Sequence, residues 1–355
     1  MLRLVDSAPV IVAEADGLFD QQGLDVEISI EPSWANVADK LTYGILDAAV
    51  MLPPLALAAA AGLRGRKARL VVPLSLSQGG NAIAVGNDVA EALASGDAPA
   101  RVRLLTWLRA QTERSRWAVV HDFSTHNLLL RYWLASSGVD PDRDIETVVI
   151  PPEQVGNALA AGDIAGFCAG APWGEAVERD RTGRILIGTS AIWPFHPEKC
   201  LCVGAAWAEA NPEMLDLLLR ALLRAQMRCD KAEQAPAIAR LLADRHGLRL
   251  PLEAARAALP GGSGTELIRF HSRETWFPAR AHAEWFIGQM RRWGWLPEGL
   301  DTPALVRRVY RPDLLAPAVE AEGLCRALDL PALESTALVS ALDSETFGRG
   351  GRGPE

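Results

Sequence analysis

An apolar run, Ile164–Ala169, leads into Gly170-Ala171-Pro172-Trp173, and His196-Pro197-Glu198-Lys199 follows after one short segment. A glycine at a strand end lets the backbone come close to a small ligand. A proline just beyond it opens a helix whose first N–H groups point back at that spot. Such a junction attracts anions. Lys199 can add a full positive charge. Only four lysines (Lys40, Lys67, Lys199 and Lys231) stand among the 36 basic residues. A lysine here therefore suggests a use for a compact charge rather than a planar guanidinium. The same residues also read as an ordinary strand–helix junction beside a surface lysine.

Two more helix starts share this character. Ser33-Trp34 and Thr125-His126, like Pro172-Trp173, each follow a strand. In open α/β sheets ligands sit at the carboxyl ends of strands. Indole N–H, imidazole and backbone donors at three helix starts suit a small oxyanion. Each residue has a plainer use as well. Trp34 shares an apolar stripe with Val37, Ala38 and Leu41, His126 could cap its helix, and Trp173 could pack in a core. Signals for catalysis are weak: there is no G-x-S-x-G, no P-loop and no G-x-G-x-x-G after a strand. Gly261-Gly262-Ser263-Gly264 follows Pro260 and lacks a trailing lysine, so it is a phosphate loop in outline only. His121-Asp122 reads as a loop pair, and Trp276, Trp285, Trp293 and Trp295 as core or interface packing.

The elements that must hold these residues alternate. Strands are expected at Leu24–Ile30, Leu46–Met51, Leu70–Leu76, Ala82–Val85, Trp117–Val120, Thr147–Ile150 and Ile164–Ala169. Helices are expected at Ser33–Tyr43, Pro54–Ala61, Thr125–Ser136, Pro152–Ala160 and Pro172–Arg181. That pattern predicts an α/β chain with largely parallel sheets. Beyond Pro212 only helices are expected, at Met214–Cys229, Ala232–Arg245, Leu252–Ala258 and Phe277–Trp293, wrapping a lobe begun by the N-terminal residues. The Gly/Arg/Pro-rich tail 347–355 is expected to be disordered.

At 355 residues the chain has room for two lobes with full cores. Its net charge of −8 argues against a general nucleic-acid or anionic-membrane surface, so an anion site must be local. The five cysteines (Cys168, Cys200, Cys202, Cys229 and Cys325) lack zinc spacing and read as buried thiols. The longest apolar stretch, Leu46–Leu63, contains Asp47 and Pro53-Pro54 and reads as strand, turn and Ala-rich helix, not as a membrane span. An opening with one arginine and an early Asp6 does not look like a signal peptide.

Taken together, these segments resemble the nitrate/bicarbonate-binding family of type-2 solute-binding proteins. The resemblance rests on Leu4-Val5-Asp6-Ser7-Ala8-Pro9, Pro32-Ser33-Trp34, Gly80-Asn81-Ala82-Ile83, Arg131-Tyr132-Trp133-Leu134-Ala135, Gly166-Phe167-Cys168 with Gly170-Ala171-Pro172-Trp173, and His196-Pro197-Glu198-Lys199. It runs to about Trp293. It implies a periplasmic-binding-protein-like α/β fold of type 2. Lobe one is then 1–83 plus 200–346 and lobe two 84–199, with a ligand cleft between them. It implies nitrate contacts at Trp34, Asn81, His126, Gly170 and Lys199, with Trp173 alongside, and neither cofactor nor metal. Asn81 stands where nitrate transporters of the family usually have Gln. Lys199 stands where bicarbonate-binding members are similar to a Glu variant, which tilts the ligand to nitrate or nitrite. Gly170-Ala171-Pro172-Trp173-Gly174, in place of Gly-Glu-Pro-Trp-Asn, is similar to the cytoplasmic nitrate/nitrite sensors that sequester an RNA-binding antiterminator. The expectation is therefore a cytoplasmic sensor with such a partner. The alternative is a periplasmic receptor serving ABC permeases, whose true start lies upstream, because the family's chain has a full strand before Leu4. A third possibility, an enzyme of pyrimidine-synthase type, requires a cysteine cluster absent here.

Overall fold

Alternating apolar runs become strands, and the helices between them carry the chain from one strand to the next. The computed structural model describes residues 1–324 apart from 96, 245–247 and 273–274. Among these residues lie β1 (Ala48–Met51), β2 (Leu70–Gly79), β3 (Asn81–Gly86), β4 (Ser115–Val119), β5 (Ile145–Val149), β6 (Gly166–Gly170), β7 (Gly183–Gly188), β8 (Pro197–Gly204) and β9 (Ile268–Arg269). They form a four-stranded sheet, β1-β8-β2-β9, and a five-stranded sheet, β5-β4-β6-β3-β7. The architecture is α/β with two sheets. The expected tail 347–355 and Cys325 lie outside the described residues.

The sheets are not largely parallel. Among the described strands, β4–β5 and β4–β6 pair in parallel and the other strand pairings are antiparallel. Helix crossovers account for the parallel trio, as the alternation required. The antiparallel pairs come from chain returning from far away. In particular β8, more than a hundred residues beyond β2, inserts between β1 and β2. Such pairing leaves no local signal. The expected strand Leu24–Ile30 is extended but carries no ladder. Its alternation is real, with Leu24, Val26, Ile28 and Ile30 packed on a core, and Met1 bonds beside its end at Ser29 and Glu31. A cavity of about 90 Å³ lined by Met1, Val26, Ile28, Ala48 and Val50 separates it from β1.

The chain changes sheet at Gly79–Gly80, between β2 and β3, and again over residues 189–196, between β7 and β8. Both glycines have positive φ, and a Cβ on Gly80 would come within 2.2 Å of the Ile268 side chain, so this turn needs glycine. Asn81 hangs from the five-stranded sheet and Lys199 from the four-stranded one.

Two apolar cores carry the sheets. Neighbours along β8 divide between them, Leu201 and Val203 facing one core and Cys200 and Cys202 the other. The first core is closed by helices Ala8–Ala15, Pro212–Cys229 and Ala235–Asp244; the second contains helix Pro53–Ala61, buried on all sides, and continues into the five-stranded sheet. The late helices do not simply wrap one lobe. Helix Arg280–Arg292 rests on Pro53–Ala61 and on helix Thr125–Ser136, with Trp285 stacked 4.2 Å from Trp193 and 6.3 Å from Tyr132. Just beyond it Trp293 lies under the Arg131 guanidinium at 4.4 Å, and Trp276 belongs to the first core. Cys168, Cys200, Cys202 and Cys229 are buried free thiols. Among the described residues no helix is long and apolar enough to cross a membrane.

Candidate functional site

Three helix starts and two sheets meet at one point, but the helix ends work differently from expectation. Ser33 caps helix Trp34–Thr42 by accepting from the Asn36 N–H, and Ser124 caps helix Thr125–Ser136 by accepting from the Asn127 N–H. His126 is therefore not a cap. It is free to aim its ring inward, as is Trp34, the first residue after its cap. Pro172 precedes helix Trp173–Arg179 rather than opening it, and the Ala171–Pro172 peptide is cis. That helix is short, and the Ala171 N–H is spent on the Gly80 carbonyl at 2.8 Å. The junction thus contributes little as a dipole and acts as a backbone wall.

The wall is Gly170. Asn81 on β3 pairs across from it on β6. A Cβ at Gly170 would lie 3.3 Å from Asp6 Oδ2, 3.4 Å from Asn81 Oδ1 and 3.5 Å from His126 Nε2. The missing side chain therefore leaves a cradle floored by backbone and ringed by three polar groups. Asp6 comes from a 3-10 turn, Val5–Ser7, and Ser77 on β2 donates to its Oδ1.

Lys199 approaches from the four-stranded sheet. Its Nζ lies 2.5 Å from Glu198 Oε1, 3.4 Å from Asp6 Oδ2 and 5.6 Å from the centre of the Trp34 ring. Glu198 is the hub. Asn81 Nδ2 donates to its Oε2 at 2.5 Å, His126 Nε2 lies 3.3 Å from Oε1, and His196 Nδ1 lies 3.6 Å from Oε2. In a regular strand, adjacent Glu198 and Lys199 would face opposite ways. The β2–β8 register slips at Ser75/Ser77 and Ser77/Gln78, opposite this stretch, and the irregularity turns both side chains to one place. Helix Pro212–Cys229 supports the slip, because Gln226 Nε2 reaches the Ser75, Leu76 and Phe270 carbonyls at 2.7–3.0 Å.

Asp6, Trp34, Asn81, His126, Glu198 and Lys199 are each at most 1 % exposed. Buried polar atoms are normally paired. Here Asp6 Oδ2, Trp34 Nε1, Asn81 Oδ1, Thr125 Oγ1, Trp173 Nε1 and both His126 nitrogens have no hydrogen-bond partner. Three of these atoms, Asp6 Oδ2, Asn81 Oδ1 and His126 Nε2, face Gly170. Trp173 packs against both cores while its indole N–H stays unpaired.

Burial dominates the electrostatics. Burial, then the Lys199 and His196 charges, push His126 well below the usual imidazole range; burial also takes His196 down to about 3. Both rings are neutral near pH 7. Burial, reinforced by Asp6, raises Glu198 to about 7 against the pull of Lys199 and Asn81. For Lys199, burial opposes the ammonium, but Asp6 and Glu198 outweigh it and its pKa is raised. Lys199 is thus not the unaccompanied charge its sequence position suggested. It is a cation held by two carboxylates.

Of the residues expected at the site, the structure brings Trp34, Asn81, His126, Gly170 and Lys199 together and sets Trp173 just beyond the Gly170 junction. Asp6 and Glu198 were missed as site groups. Both sat inside quoted motifs, but a carboxylate does not suggest itself for an anion site. Other features resolve as packing. Gly262 N–H and Gly264 N–H are spent on the Leu259 and Ala257 carbonyls, and His121 Nδ1 accepts from the Phe123 N–H. No group of three potential metal ligands occurs among the described residues. Beside the sheet changeovers Glu266 accepts from Gly80 N–H, Ser190 N–H and Ser190 Oγ, tying the two crossing segments together.

The NMT1-like family matches residues 1–243. The nitrate/nitrite binding protein NrtA of Synechococcus elongatus is 32% identical over 365 residues, spanning 98% of this chain and 82% of that one. The bicarbonate-binding protein CmpA of the same species is 28% identical over 371 residues, again spanning 98% and 82%. The nitrate import ATP-binding protein NrtC of Synechocystis is 33% identical over 348 residues, 94% of this chain but 50% of that protein. The crystal structure of the periplasmic nitrate-binding protein NrtA from Synechocystis superposes with a TM-score of 0.83 at 28% identity, covering 96% of this chain and 90% of that one. The chain belongs to the NMT1-like family, in the group of substrate-binding proteins that contains the nitrate- and bicarbonate-binding proteins.

Proposed function

We propose that this chain binds nitrate or nitrite between its two sheets and delivers it to an ABC importer. The observation that carries the reading is the ring of unpaired buried polar atoms around Gly170, with Lys199 beside it. A flat oxyanion fits a glycine floor, accepts from the Trp34 and Trp173 indoles and the neutral His126 ring, and draws on the Lys199 charge. The walls come from both sheets, so release requires them to part about the crossings at 79–80 and 189–196. The related proteins named above are binding and import components, which supports binding without turnover.

The same relatives favour the receptor over the cytoplasmic sensor. Nothing in them supports an antiterminator partner, and the Gly170–Gly174 sequence is the sensor reading's main remaining ground. A receptor of this class works outside the cytoplasmic membrane, so a periplasmic location goes with this proposal. A bicarbonate ligand has one specific observation in its favour. Asn81 Oδ1 is an unpaired acceptor facing the cradle, and bicarbonate carries a proton to donate. Isothermal titration with nitrate, nitrite, bicarbonate and sulfate separates these cases. Binding of nitrate or nitrite with no binding of sulfate supports the proposal, and binding of bicarbonate alone overturns the nitrogen-oxyanion assignment.

A further inference from the structure

The charge balance of the site is wrong for a simple anion pocket. One ammonium, Lys199, faces two carboxylates, Asp6 and Glu198, and the adjoining imidazoles are neutral. With Glu198 ionised the cluster already carries one net negative charge, and an arriving nitrate would double it. Nitrate is the anion of a strong acid and brings no proton of its own.

Hydrogen bonding raises the same difficulty. Asn81 is the amide expected to donate to the ligand, yet its Nδ2 is committed to Glu198 Oε2 at 2.5 Å, and it turns an unpaired Oδ1 toward the Gly170 cradle. That is an acceptor offered to an anion. The conflict disappears if Glu198 Oε2 carries a hydrogen. The acid O–H then donates to Asn81 Oδ1, the amide turns round, and its N–H₂ group faces the cradle. The Lys199 ammonium, no longer drawn to Glu198 Oε1 by a full charge, is freed for the ligand.

We propose that the anion enters this site together with one proton from solvent, which settles on Glu198, so that Glu198 sets which ligands the site accepts. The inference rests on the nitrate/nitrite reading above. The groups interacting with Glu198 are Lys199, His196 and Cys200 from its own segment, Asn81 on β3, Cys168 on β6, His126 on its helix and Asp6 on the 3-10 turn. Of these, the two histidines are held neutral far below pH 7 and Cys168 is held protonated well above it. Glu198, raised to about 7, can take up a proton there.

Linkage gives the sign. If the bound state holds the protonated acid, affinity is full below pH 7 and falls as pH rises, by about tenfold per pH unit once Glu198 is ionised in the free protein. The test is titration calorimetry of the intact chain with sodium nitrate and sodium nitrite between pH 6 and 8.5, in buffers of different ionisation heats. Uptake rising from near zero at pH 6 toward one proton per anion at pH 8.5 is expected. Glu198→Gln, which is permanently uncharged and can pair with Asn81, should bind with no proton uptake and little pH dependence. Wild-type binding with the same heat in every buffer at pH 8 overturns the inference while leaving the nitrate reading intact. So does a Glu198→Gln variant that keeps the full pH slope. Absence of nitrate and nitrite binding at every pH overturns the underlying reading and this inference with it.

Discussion

Lys199→Met is the most demanding test of the site. The side chain is 0 % exposed, and its ammonium lies 2.5 Å from one carboxylate and 3.4 Å from another. Methionine fills the same stem but removes the charge, leaving Asp6 and Glu198 facing each other away from water. Removing one partner of a buried ion pair costs about 3–5 kcal/mol. That loss should be larger at pH 8 than at pH 6, because Glu198 takes a proton at the lower pH. For the ligand, an ammonium about 4 Å from an anion contributes about 4 kcal/mol at an effective dielectric constant near 20. This is about a thousandfold in affinity. Urea unfolding at both pH values and nitrate titration at pH 6 measure the two effects separately. Adding Glu198→Gln to Lys199→Met should restore part of the stability, since it removes one of the two carboxylates left stranded, but not the affinity. A Lys199→Met chain as stable as wild type at pH 8 would refute the buried ion pair, and undiminished nitrate affinity would put the ligand elsewhere.

Two further outcomes follow from the same geometry. Gly170→Ala sets a methyl 3.3–3.5 Å from Asp6, Asn81 and His126; titration should show nitrate affinity reduced by more than about tenfold, with a stability loss no greater than the ~1–3 kcal/mol of ordinary overpacking. Normal affinity would mean that the cradle is not the ligand's seat. His196 is buried neutral with its pKa lowered to about 3, its ring 2.7 Å from Thr189 Oγ1. Stability from this group is complete above about pH 6.5 and is lost as pH falls toward 3, by roughly 3–5 kcal/mol in all. The stability difference between wild type and His196→Asn should therefore narrow on acidification, and a difference constant from pH 7 to pH 3.5 would contradict it.

Much of this protein was legible in one dimension because the relevant physics is local. Helix Thr125–Ser136 was read to the residue, since its apolar periodicity is written in neighbouring positions. Helix Pro53–Ala61 and strands β3, β4 and β6 came within two or three residues of their expected bounds for the same reason. The gathering of Trp34, Asn81, His126, Gly170 and Lys199 was implied by motif resemblance and by strand–helix junctions, which lie at the same end of their sheets. Three things depended on tertiary structure. The direction of the strands was one, because β8 is recruited from far along the chain and nothing in Pro197–Gly204 says which neighbours it will pair with. The fate of Leu24–Ile30 was another: its alternation fits a strand, but a strand needs a partner alongside. The third was the charge of the site. The sequence shows a lysine; only the fold, by slipping the β2–β8 register and bringing the Asp6 turn across, seats that lysine between two carboxylates and removes them all from water. Residue type decides what a group can do. Burial and the neighbours it meets, both properties of the folded chain, decide its charge state.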